Sequence, residues 1–115
     1  MITMTVKVKI YKASIMEFEQ TVEGVNLDTA KISGLINKWQ NEEGCLSYKL
    51  YKQNVSHYSL ESEWHSWNDL NNHFRSKDFS LFLGAINFLC EHQDIKIFDG
   101  KHTLGIEAIE NACAN

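Results

Sequence analysis

A chain of 115 residues that is 43% hydrophobic suffices for one domain with its own core, burying roughly 60 to 70% of the surface the unfolded chain exposes. Eleven basic against fifteen acidic residues leave a net charge of −4, with no basic cluster to follow a phosphate backbone, which argues against nucleic acid as a partner. The longest apolar run, 81–90, is broken by Gly84 and Asn87 and falls short of the roughly 18 residues of a membrane span, and MITMTVKVK lacks the apolar centre of a secretory signal, so no membrane partner and a cytoplasmic location are expected, with Met4 as an alternative start.

Thr5 to Tyr11 (TVKVKIY) sets Val6, Val8 and Ile10 against Lys7 and Lys9, the alternation of a strand with one wet face. Ile15 to Val22 also alternates, Met16, Phe18 and Val22 opposing Glu17, Glu19 and Thr21. It is expected either as the second arm of a hairpin turning at Lys12 to Ser14 or as part of one long bent edge strand. Gly24 to Asn26 reads as a turn. From Asp28 to Glu43 the period becomes helical, with Ile32, Leu35, Ile36 and Trp39 on one stripe. Asp28 or Thr29 can cap this helix and Gly44 can end it in the left-handed conformation, with Trp39 expected as a core anchor against the sheet.

Gly44 to Asn54 alternates again, with Leu46, Tyr48 and Leu50 on one face, and His57 to Trp64 places Tyr58, Leu60, Ser62 and Trp64 together. The two runs read as an antiparallel pair. Glu61 and Glu63 point the other way, where solvent or a partner-chain lysine would neighbour them, and nothing distinguishes them as acid and base. Ser66 with Asp69 three residues on resembles a capping box opening a helix whose Leu70 and Phe74 face the sheet, leaving His73 on the flank. A second apolar helix follows Ser76, with Phe79, Phe82, Leu83, Ile86, Leu89 and Cys90 in its stripe. Gln93 to Phe98 is a short strand. The tail is open between a helix face (Ile106, Ile109, Cys113) and an extended strand over His102 to Ile106.

Cysteines at 45, 90 and 113 and histidines at 57, 65, 73, 92 and 102 lack the spacing of a disulfide framework or metal centre, so no metal is expected. The order of elements predicts an α+β, ferredoxin-like antiparallel sheet with helices on one face, in a single domain of core 5–99 and tail 100–115. Strands read as apolar on both faces further predict a homodimer that packs sheet on sheet into an α/β barrel.

GCLSYKLY at 44–51, the strand ending in Trp64, and then Ser66, Leu70, His73, Ser76, Phe79 and Phe82 resemble the antibiotic biosynthesis monooxygenase family of dimeric α/β barrels. That resemblance implies no cofactor and a small aromatic substrate, a planar phenol or quinol. Once deprotonated, such a ring reduces oxygen directly. It further implies His73 as the base, Trp64 and Trp67 as stacking walls, and Tyr48 as a donor to the ring oxygen. His73 and Trp64 are expected to line one cavity with Tyr48 and Trp67 at its rim. The chain departs from the family at Ser62 and Leu60, where relatives carry a Glu and a polar amide. Leu83 stands where haem-degrading relatives place an axial His, so haem is not expected. A non-catalytic binding or sensing module of the same fold is the competing reading. An isomerase of a phosphorylated molecule is a further one, poorly served by a chain whose only Arg is Arg75.

Overall fold

The computed structural model describes residues 1–26 and 31–114. Its central strand is β1 (Ile2–Ile10), in which Ile2, Met4, Val6, Val8 and Ile10 are all buried while Thr3, Thr5, Lys7 and Lys9 take the other face. Buried alternation fixes which residues can oppose them, because a one-residue slip would turn every apolar side chain outward. β5 (His57–Trp64) pairs antiparallel on one side, with Val6 opposite Leu60 and Ile2 opposite Trp64, and β6 (Cys90–Phe98) on the other, with Val6 opposite Ile95. β4 (Cys45–Lys52) lies outside β5 and the short β7 (Thr103–Leu104) outside β6, giving the order β4-β5-β1-β6-β7.

Helices α1 (Ile15–Glu23), α2 (Leu35–Trp39), α3 (Trp67–Phe74), α4 (Lys77–Leu89) and α5 (Ile106–Cys113) complete the fold. Phe18, Val22, Trp39, Leu70, Phe74, Phe79, Phe82 and Ile86 join the even-numbered side chains of β1 in one core. This is the expected ferredoxin-like α+β arrangement. Among the described residues no helix is long and apolar enough to cross a membrane.

The opposite face of the sheet corrects the expectation of strands apolar on both sides. Its cross-strand rows read Lys49, Glu61, Thr5, Lys96 and Tyr51, Ser59, Lys7, Asp94. Charges of opposite sign sit side by side there, with Tyr51 and Phe98 the large rings among them.

Two elements differ from the periodicity reading. Ile15 to Val22 is the helix α1, not a strand: Phe18 and Val22, four apart, satisfy both periods, and the deciding residue, Met16, is 72% exposed. The long helix expected over 28–43 is instead the short hairpin of β2 (Gly24–Asn26) and β3 (Lys31–Ser33) followed by the five-residue α2. Gly34 interrupts it in extended backbone, packed so closely on the carbonyl of Val22 that no side chain fits between them. The caps assigned to Asp28 and Thr29 lie outside the described residues. Gly44 does adopt φ +79°, and Trp39 is fully buried. The tail takes both of its alternatives, as β7 and then α5, and the final strand is longer than expected, beginning at Cys90.

Candidate functional site

The site is assembled at the corner between β5 and α3. Ser66 caps α3 by accepting from the Asp69 amide (3.2 Å), and its hydroxyl donates to the Asp69 carboxylate (2.9 Å). Beneath this cap lies Gly44, where a Cβ would run into the Asp69 carboxyl and where the backbone is left-handed. Its carbonyl accepts from the His65 amide at 2.8 Å, so the start of β4 is fastened to the start of α3. One turn and a half into that helix stands His73.

β4 carries a bulge: Cys45 opposes Trp64 and Ser47 opposes Glu63, leaving Leu46 as the extra residue. Leu46 is consequently 55% exposed, against the expectation that it shares a buried face with Tyr48 and Leu50. Beyond the bulge Tyr48 stands opposite Ser62 on the helix-covered face.

His73 is not on a flank. Its side chain is wholly buried, because the α3 stripe is wide enough to turn Leu70, His73 and Phe74 all inward. The imidazole stacks on Trp64 (ring centroids 4.8 Å), with Phe79 at 4.6 Å, Trp39 at 5.1 Å and Tyr48 at 5.5 Å around it. Both nitrogens are satisfied inside this box. Nδ1 lies 2.9 Å from Glu42 Oε2, and Nε2 lies 3.3 Å from the Tyr48 hydroxyl. A carboxylate only accepts, so Nδ1 carries the proton, which leaves Nε2 as the nitrogen that meets the phenol.

The same logic extends outward. Trp64 Nε1 donates to Ser62 Oγ at 3.0 Å, and the Ser62 hydroxyl acts as a hydrogen-bond partner of the Tyr48 phenol. The donors therefore run in one direction, from Trp64 through Ser62, Tyr48 and His73 to Glu42. Glu42, its side chain 27% exposed, is the end of the chain nearest water. Burial, reinforced by the neighbouring Cys45 and Glu42, pushes the Tyr48 phenol well above its usual pKa, so it keeps its proton and stays a donor. Burial and then the Glu42 charge push the Cys45 thiol up to about 11, which leaves it protonated and unreactive at neutral pH.

Of the residues expected in the site, His73, Trp64 and Tyr48 do converge, but they fill their own space. His73 and Trp64 stack on each other instead of facing one another across a cavity, and Tyr48 is in the core, not at a rim. Trp67 is elsewhere: it lines a separate cleft of about 350 Å³ with Arg75, Ala108 and Ala112. A cleft of about 400 Å³ between α2 and β4 has Tyr48 in its lining, with Ile36, Gln40 and Leu50 among others. Gln40 ties its two walls together, donating from Nε2 to the Tyr48 carbonyl at 2.8 Å. Glu42 is not legible in the sequence because its partner is 31 residues away and the turn holding it has no periodicity to read.

No family model matches the sequence, and no curated protein matches it. Solved structures do share the fold. A conserved protein from Methanosarcina mazei Go1 superposes with a TM-score of 0.69 at 22% identity, covering 84% of this chain and 89% of that one. An antibiotic biosynthesis monooxygenase gives 0.67 at 18% identity, covering 89% and 100%. A point mutant of SnoaB, a cofactor-independent oxygenase from Streptomyces nogalater, gives 0.62 at 13% identity, covering 90% and 95%. The chain thus has the fold found in antibiotic biosynthesis monooxygenases, at identities that carry the architecture and not the chemistry.

Proposed function

We propose that this chain is a cytoplasmic, cofactor-independent monooxygenase of the antibiotic biosynthesis type, acting on a small phenol or quinol-like ring. The observation that supports this reading most is the one-directional chain Tyr48, His73, Glu42, which is built to draw a proton from a phenolic oxygen into the core. A ring in the α2–β4 cleft lies against a lining that includes Tyr48, and the reaction requires the buried Tyr48 hydroxyl to open toward it. As the substrate hydroxyl gives its proton to the Tyr48 oxygen, Tyr48 gives its own to His73 Nε2, and the imidazolium faces the Glu42 carboxylate. The phenolate left behind is electron-rich enough to reduce oxygen itself: one oxygen atom enters the ring, the other leaves as water, and the phenol becomes a quinone. No external reductant is needed.

One observation favours the second reading, a binding module without turnover. The partner of His73 Nε2 is the protein's own phenol, and the imidazole has no exposed surface. An isomerase of a phosphorylated substrate has less support, since Arg75 ties α3 to α5 by donating from Nε to the Ala112 carbonyl at 2.7 Å. Oxygen consumption across a panel of quinols, with a metal chelator present, separates the first two. Uptake of one O₂ per phenol consumed is expected. Tight binding of one member without uptake by any would establish the binding module.

In this reading the chain works as a homodimer through the open face of its sheet. A face of paired charges joins its copy by ions and hydrogen bonds more than by apolar contact, so the association should respond to salt. Light scattering at micromolar concentration is expected to give twice the 13.3 kDa protomer mass at low ionic strength, falling in about 1 M salt. A monomer at low salt would remove the sheet-to-sheet barrel.

A further inference from the structure

The aromatic box contains one polar group that the Glu42-directed chain leaves out, the indole N–H of Trp39. Trp39 is completely buried, yet its Nε1 finds no acceptor among the described residues. Buried Trp N–H groups ordinarily do find one, and a donor stripped of water without a replacement bond is destabilising. Phenylalanine would avoid that cost here, in a setting already built from Phe79 and Phe82, whose rings lie 5.9 and 5.3 Å from the indole. The hydrogen bonds formed inside the box join other groups: Tyr48 to Nε2 of His73, Trp64 to Oγ of Ser62, His73 to the Glu42 carboxylate. None of these reaches the Trp39 Nε1, which leaves that donor open to an oxygen of a bound molecule.

The indole lies beside the groups of the proposed reaction. Its ring is 5.1 Å from Tyr48 and 5.1 Å from His73, the two groups that take the proton in the proposed reaction. Its chain neighbour Gln40 and its ring neighbour Tyr48 both line the α2–β4 cleft. The phenol of Tyr58, a second buried side-chain polar atom without a formed bond among the described residues, differs in having the Glu19 and Lys52 pair beside it.

We infer that Trp39 is a substrate-binding residue: its Nε1–H donates to the ring oxygen as Tyr48 and His73 deprotonate it, and so holds the phenolate. This rests on the phenol reading above and adds to it the group that stabilises the anion. Binding would swing the Gln40 amide off the Tyr48 carbonyl to admit the ring.

The test uses 4-nitrophenol, whose ionised form is coloured and reports binding and deprotonation together. Wild type is compared with Trp39→Phe and with a protein carrying benzothienylalanine at position 39, which keeps the indole shape without the N–H. Both variants are expected to bind the probe roughly 10- to 100-fold more weakly, the worth of one hydrogen bond to a charged group, with a smaller ionised fraction when bound. Their unliganded thermal stability should be unchanged or higher for the isostere, since the orphan donor is gone. Affinity and ionised fraction equal to wild type in the isostere would overturn the assignment and leave Trp39 a purely structural ring. A wild type that fails to bind any phenol of the panel would instead overturn the phenol site itself, and this inference with it.

Discussion

His73→Gln is expected to lower oxygen uptake by roughly 10²-fold or more, the usual worth of a positioned proton acceptor, while the folded protein persists. Glutamine can still accept from the Tyr48 hydroxyl but cannot take its proton, so the hydrogen bond survives and the chemistry does not. Alanine is the wrong substitution. The imidazole is enclosed by Trp39, Tyr48, Trp64 and Phe79, and deleting it would open a hole among those rings and cost Glu42 and the Tyr48 hydroxyl one hydrogen bond each. That double loss is of order 2 to 5 kcal/mol and would confuse instability with inactivity. The measurement is turnover per folded molecule, with near-ultraviolet circular dichroism reporting on the aromatic box. Full turnover in a correctly folded His73→Gln protein would make His73 a core residue only and return the binding module to first place.

How far the sequence disclosed this arrangement depended on whether a feature is local. The corner of Gly44, Ser66 and Asp69 was legible because caps and left-handed glycines are written within a few residues of one another. So was the pairing of β4 with β5, two alternating runs separated by a short loop. α1 was not, since a run whose apolar residues fall four apart fits a strand and a helix equally, and only the exposure of Met16 decides between them. Nor was α2, where one stripe position before Gly34 and three after it imitate one long helix although the chain is pinned there against Val22. For the site, residue types were legible and their roles were not. The periodicity puts His73 on a flank because Leu70 and Phe74 already define an i, i+4 stripe. The third inward position is stable only because Glu42 and Tyr48, distant in sequence, satisfy both ring nitrogens. Trp39 is legible as an anchor, but nothing in a sequence tells a bonded indole from an orphaned one.

Trp64→Ala is expected to cost stability on the scale of 3 to 5 kcal/mol, the range for large-to-small changes at fully buried aromatics. Three losses combine. The indole closes β5 with no exposed surface, so its removal leaves a cavity over Ile2 and Cys45, its partners across the sheet. Ser62 loses the N–H it accepts at 3.0 Å. His73 loses the ring stacked 4.8 Å away, which frees the imidazole to tilt and lengthen a Tyr48 contact that is already 3.3 Å. For a domain whose total stability is of order 5 to 15 kcal/mol, this is a large fraction. Urea unfolding should show a lower midpoint at a nearly unchanged slope, because the surface exposed on unfolding is almost the same. Trp67→Ala is the internal control: Trp67 is half-buried in a different cleft, so it should cost far less. Equal costs at the two positions would mean that Trp64 is not the wedge holding β5 to α3, and the box around His73 would then owe its geometry to Trp39 and Phe79 instead.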